Sequence, residues 1–119
     1  MSAAKLKTPI YIEQGATFKM QFIWQTGEPP VPVNLTGYTA AMQIRASVGS
    51  SDILVNLTTE NGGISLEDAL GVINLYIPSS QTAIFNWYVG VFDLEMIAPN
   101  GEVIRLIQGT VTVSHEVTR

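Results

Sequence analysis

Ser114 and His115 come closest to a hydrolytic pair in this chain, and His115 is its only histidine. Acyl transfer needs a serine, a histidine and a carboxylate meeting at one point, with an oxyanion site beside them. Neighbouring residues on an extended strand point to opposite faces, so these two side chains diverge and His115 reads as a surface residue. Zinc takes three or four Cys, His or carboxylate ligands, and one histidine with no cysteine does not supply them. Asp93 and Glu95 share a strand face. The two carboxyls of glycoside cleavage stand across a cleft, so this pair reads as a solvated or partner-facing stripe. Glu60, Asn61, Glu67 and Asp68 offer oxygen atoms of the kind calcium takes, without the spacing of an EF-hand loop. Gly62-Gly63 lacks the Gly-Lys-Ser/Thr ending and following helix of a phosphate loop. Trp24, Trp87 and Tyr88 have rings on which a sugar or base could stack. Trp24 follows an inward alternation and is assigned to the core, while Trp87 falls opposite Tyr88, Phe92 and Leu94. The expectation is a domain that is not an enzyme, with no catalytic residue, metal ligand or cofactor site.

The bulk properties narrow the class further. At 119 residues the chain has the size of one domain with one substantial core. Charged residues make up only 13% of it, against roughly 25% in an ordinary soluble domain, which points to a surface that meets another protein. The net charge is −4 and the Lys and Arg residues are scattered; nucleic-acid phosphates and anionic lipids select clustered cations instead. No nucleic acid, membrane or small-molecule substrate is expected as a partner. Without cysteine there are no disulfides, in keeping with assembly in a reducing cytoplasm. Residues 1–8 have neither a signal peptide's apolar core nor an anchor's length and are expected to form a flexible arm. Two sequons, at Asn34 and Asn56, are read as coincidence because the pattern is loose.

What must position any site is a set of strands. Period-two alternation marks a strand with one buried face. Over residues 16–25, Phe18, Met20, Phe22 and Trp24 point one way and Thr17, Lys19, Gln21 and Gln25 the other. Residues 38–45 repeat this with Tyr38, Ala40, Met42 and Ile44; residues 52–58 do so with Ile53, Val55 and Leu57; and Val72–Ile77 with Ile73, Leu75 and Ile77. Residues 87–96 and 102–114 are longer strands, and Ile10–Glu13 opens the domain. Phe18, Met20, Phe22, Trp24, Tyr38, Met42, Ile44, Phe92 and Leu94 are the expected core. Pro29, Pro30 and Pro32 keep residues 27–32 out of a sheet centre, residues 48–51 and 61–63 are loops, and Pro99-Asn100-Gly101 is a hairpin turn. One short helical turn is expected near residues 78–86. Seven to eight strands with turns between them predict a two-sheet β-sandwich over residues 9–119.

The outward faces break the bland pattern. In residues 87–96, Tyr88, Phe92, Leu94 and Met96 take one face and Trp87, Val89 and Val91 the other. In residues 102–114, Val103, Ile107, Val111 and Val113 alternate with Ile104 and Leu106. Apolar residues on both faces belong to strands covered twice, either because the strands cross between sheets or because another subunit covers them. The expected partner interface is Leu6, Trp87, Val89, Val91, Ile104 and Leu106.

Several stretches then carry a resemblance. Tyr11-Ile12-Glu13-Gln14-Gly15-Ala16-Thr17-Phe18 and Val33-Asn34-Leu35-Thr36-Gly37-Tyr38-Thr39-Ala40-Ala41-Met42-Gln43-Ile44-Arg45 resemble a family of small structural proteins of tailed bacteriophages. So do Thr58-Thr59-Glu60-Asn61-Gly62-Gly63-Ile64, Tyr88-Val89-Gly90-Val91-Phe92-Asp93-Leu94-Glu95 and Gly109-Thr110-Val111-Thr112-Val113. The order of these segments is also similar to the N-terminal domain of phage upper baseplate proteins. Asn34 stands where Asp is common in the family, and no receptor-binding domain is expected after Arg119. The resemblance implies an immunoglobulin-like sandwich built into a virion, assembled in the host cytoplasm and multimeric there, with other virion proteins as partners. The expected role is an adaptor at the tail baseplate or fibre junction; the alternatives are a capsid decoration protein and a carbohydrate-binding module contacting the host surface.

Overall fold

The computed structural model describes residues 4–6 and 8–117, with only the backbone described for Ala4 and Lys5. Eleven strands run in chain order as β1 (Ala4–Lys5), β2 (Ile10–Glu13), β3 (Phe18–Ile23), β4 (Gln25–Thr26), β5 (Val31–Pro32), β6 (Thr39–Arg45), β7 (Ile53–Thr58), β8 (Ile64–Glu67), β9 (Val72–Ile77), β10 (Val89–Ile97) and β11 (Val103–Ser114). A 3-10 turn, Asp68–Leu70, joins β8 to β9, and one helical turn, α1 (Ser79–Thr82), follows β9. Eight of the strands have four or more residues, in line with the seven to eight read from alternation.

The strands make a β-sandwich. The larger sheet has the order β1-β11-β10-β6-β7, with β2 also on β11, and the smaller has the order β3-β9-β8. β4 and β5 form a separate hairpin, so the proline-rich segment stays out of both sheets as expected. β1 and β2 are both parallel to β11, along residues 107–108 and 111–114. The larger sheet is therefore closed along one side by chain from opposite ends of the sequence.

Alternation puts Met42, Ile44, Val55, Leu57, Phe92, Leu94, Met96, Val111 and Val113 of the larger sheet against Ile64, Ile73, Leu75 and Ile77 of the smaller. Phe18, Met20, Phe22, Trp24 and Tyr38 face the same core but are only partly buried; the first three lie on β3, an edge strand. The Trp24 and Tyr38 rings meet edge to face, 5.9 Å between centroids, an arrangement the ring quadrupoles favour. Leu35, fully buried in the connection before β6, and the four-residue strand β8 are core elements that alternation did not indicate.

Gly71 holds the β8–β9 corner at φ 65°, and a Cβ there would stand 2.5 Å from the Trp24 carbonyl oxygen. Only glycine combines that backbone with so close an approach. Trp24 N–H donates to Gly71 O at 2.8 Å, and Val33 N–H donates to Trp24 O at 2.9 Å. The connection from β3 to β6 is thereby tied to the smaller sheet.

Candidate interaction surface

Side chains on β10 divide cleanly. Gly90, Phe92, Leu94 and Met96 are buried, and Val89, Val91, Asp93, Glu95 and Ile97 face outward. Thr112 pairs with Val89 on one side and with Tyr11 on the other. A cross-strand row Tyr11–Thr112–Val89 therefore lies on the outer face of the larger sheet. Tyr11 is 62% exposed and Val89 60%. Tyr88, at 64% exposed, adds a third large side chain beside the row. Its ring stacks on His115, centroids 3.9 Å apart and planes 18° apart. His115 Nε2 lies 2.9 Å from the Trp87 carbonyl oxygen; since a carbonyl only accepts, that nitrogen carries a proton and donates. The stack holds the Tyr88 ring at a defined place on the surface.

Next to this patch the outer face becomes polar. Gln108, Asp93, Gln43 and Asn56 occupy successive strands β11, β10, β6 and β7 in one row. Arg45 donates to Gln43 Oε1 from Nε at 3.2 Å and from Nη2 at 2.8 Å, and from Nη1 to Ser50 O at 2.7 Å. It folds residues 46–52 back beside the sheet, leaving a shallow groove of ≈ 750 Å³ lined by Gln43, Arg45, Val48, Asp93, Glu95 and Arg105, among others. Arg105 Nε pairs with Asp93 Oδ2 at 3.5 Å, with both side chains well exposed; in water such a pair contributes about 0–1 kcal/mol.

The six expected interface residues separate. Val89 and Val91 lie on the outer face, with Val91 opposite Thr110 and Arg45. Trp87 does not join them: it precedes the strand and packs on the core, its ring 5.2 Å from that of Phe85. Tyr88, expected to be buried on the face of Phe92, is instead exposed at the end of the sheet. Both precede the strand, where Trp87 is placed by its contact with Phe85 and Tyr88 by its stack on His115. Ile104 and Leu106 are explained by a β-bulge. β10 pairs Leu94 with Ile107 but Glu95 with Arg105, so Leu106 is the extra residue. Before the bulge Ile104 lies opposite buried Met96, and after it Ile107 lies opposite buried Leu94. Two inward phases on one strand thus looked like two apolar faces, and Leu106 packs against the core. Leu6 packs there too, beside Gly109, while it also lines the groove with Val91, and its N–H donates to Gln108 O at 2.9 Å. Within the segment expected to form the arm, Ala4–Lys5 pair with β11 as an edge strand; residues 1–3 and 7 lie outside the described part.

The other candidate chemistry finds other uses. Asn61 Oδ1 accepts the N–H groups of Thr58 and Gly63, and its Nδ2 donates to Asn56 O. Its carboxamide thereby occupies the outer backbone groups of β7 as a neighbouring strand would. Glu67 accepts from Asn74, which accepts from Gln21. Among the described residues, no three His, Cys, Asp or Glu side chains converge as a metal site. No helix among them is long and apolar enough to cross a membrane. Tyr11 is the surface residue that sequence reasoning passed over, although its place between buried Ile10 and Ile12 put it outside. No protein-family model matches the chain, and no curated protein matches it.

Proposed function

We propose that this chain is a non-enzymatic structural protein of a tailed-phage virion, an adaptor at the tail baseplate or fibre junction that works through protein–protein contacts. The observation that carries this reading is the exposed row Tyr11–Thr112–Val89, with exposed Tyr88 next in the chain to Val89 and stacked on His115. Rigid, amphipathic aromatic side chains are enriched in interface centres, and these sit on a regular sheet that supports them. The low charge of the chain and the resemblance of its segments to small phage structural proteins support the same reading. The partner meets Tyr11, Tyr88, Val89 and Val91, with the polar groove at the rim of the contact.

The test is assembly. Val89→Glu and Tyr88→Ala variants are supplied in place of the parent protein, and purified particles are assayed for the chain. Loss of incorporation with the fold intact supports the reading, and incorporation at the parent level overturns it. Gold labelling of the parent in particles places it: label on the tail agrees with the adaptor role, and label over the head overturns it in favour of a decoration protein.

A further inference from the structure

The edges of the two sheets are not equivalent. The β11 edge is covered by β1 and β2, and part of the β7 edge is occupied by the Asn61 carboxamide. Of the two edges of the smaller sheet, β8 has four residues and β3 six, and among the described residues β3 pairs only with β9. Trp24 N–H bonds to Gly71 O, and Phe22, Met20 and Phe18 follow it in the same phase of the ladder. In an antiparallel pair alternate residues turn their backbone groups to opposite sides. Lys19, Gln21 and Ile23 therefore direct N–H and C=O away from β9, to the open edge. Along this edge the inward side chains Phe18, Met20 and Phe22 stay partly buried, whereas their β9 partners Ile77, Leu75 and Ile73 are fully buried.

We propose that β3 pairs antiparallel with β3 of a second copy of this chain, around a two-fold axis at Gln21, joining the two smaller sheets into one of six strands. The strand is self-complementary in this register. Gln21 meets Gln21 of the other copy, and Lys19 meets Ile23, so all three outward-directed residues exchange backbone hydrogen bonds with partners that are also outward-directed. On the inner side Met20 meets Phe22, which extends the core across the axis and covers rings that one copy leaves half-open. On the outer side Gln21 Nε2 already donates to Asn74 Oδ1 at 2.9 Å, and Asn74 Nδ2 to Glu67 Oε2 at 3.0 Å. This leaves each Gln21 carboxamide one N–H and its oxygen, which two copies related by a two-fold axis can exchange. β3 carries no carboxylate, so two chains of net charge −4 meet there without apposed acids. The single cation, Lys19, lies opposite Ile23 rather than itself.

The chain has no cysteine, so a single introduced thiol reports only contacts between copies. Hydrogen-bonded antiparallel partners have Cα atoms about 5.5 Å apart, within reach of a disulfide. Under mild oxidation, Gln21→Cys is expected to give a covalent dimer on a non-reducing gel, while Lys19→Cys and Ile23→Cys each stay monomeric. The parent is expected to dimerise with rising concentration in light scattering, with the amides of residues 19, 21 and 23 becoming slow to exchange. Gln21→Pro removes an N–H the monomer does not use and should shift light scattering to the monomer. If circular dichroism shows that variant unfolded, the cysteine series decides alone. The proposal is overturned if the parent stays monomeric at millimolar concentration, if Lys19→Cys links as fast as Gln21→Cys, or if folded Gln21→Pro still dimerises.

Discussion

Gln14 and Glu116 are joined across the chain by a 2.8 Å hydrogen bond in which the Glu116 N–H donates to Gln14 Oε1. The other end of the same carboxamide, Nε2, donates to Phe85 O at 2.8 Å, and the Gln14 N–H donates to Ser114 O at 2.9 Å. One side chain thus fastens the β2–β3 corner to the end of β11 and to the crossing between the sheets. Gln14→Ala removes two of these bonds and is expected to cost about 1–3 kcal/mol, read as a lower urea midpoint at unchanged slope.

Thr82 sits beneath that corner, 0% exposed. Its hydroxyl accepts the Gly15 N–H at 3.1 Å and donates to Ala16 O at 2.8 Å. Thr82→Val keeps the shape and leaves both backbone groups without this partner, for an expected loss of about 1–3 kcal/mol. Thr82→Ser should recover most of it. Thermal unfolding of the two variants side by side checks the hydroxyl's share.

Leu94 and Phe22 separate the middle of the core from its edge. Leu94 is fully buried, so Leu94→Ala is expected to cost about 2–5 kcal/mol through lost transfer energy and a cavity. Phe22 is half-buried, and Phe22→Ala should fall below the roughly 3–5 kcal/mol typical of a buried phenylalanine. Chemical denaturation at low protein concentration measures both. A larger loss for Phe22 would show that β3 is more deeply covered than its exposure indicates.

Gly71→Ala places a Cβ at positive φ and against the Trp24 carbonyl. The expected cost is about 1–3 kcal/mol from the backbone alone, with more from the contact. Gly101→Ala, also at positive φ but with nothing near the added carbon, isolates the backbone share. The difference between the two midpoints measures the close approach.

Val89→Glu changes an exposed position and is expected to leave stability within about 0.5 kcal/mol, while removing incorporation into particles. Melting temperature and particle composition are read on the same preparation, so that loss of assembly is not confused with loss of fold.

The alternation in β3, β6 and β9 carried the sandwich and much of its core in the sequence itself, because each keeps one phase throughout. β7 holds its phase at Val55 and Leu57 but loses it at a bulge, where Leu54 is the extra residue and Ile53, expected to face inward, lies exposed opposite Arg45. Legibility fails where the phase is interrupted. β11 changes phase at the Leu106 bulge, and nothing in its residues separates that from an apolar outer face. Trp87 and Tyr88 precede β10, where contacts with Phe85 and His115 decide where the rings lie. β8 is short and follows two glycines, so it merges with its loop. Of the candidate surface, Val89 and Val91 follow from the β10 pattern. The inward place of Leu6 follows only from parallel pairing with β11, a contact between remote parts of the chain that local pattern does not encode.

The position of β11 also sets an order of events during synthesis. β2 needs Val111 for Ile10 and Val113 for Ile12, and β10 needs the same strand on its side. β1 and β2 therefore leave the ribosome with no partner in their own sheet, and the apolar Ile10 and Ile12 wait until nearly the whole domain has been made. β6, β7 and β10 pair with one another before β11 is made, so the β2 side of the larger sheet closes last, on the arrival of one late strand. A chain arrested before residue 103 would present β10 with an open edge, a form prone to capture by other nascent chains.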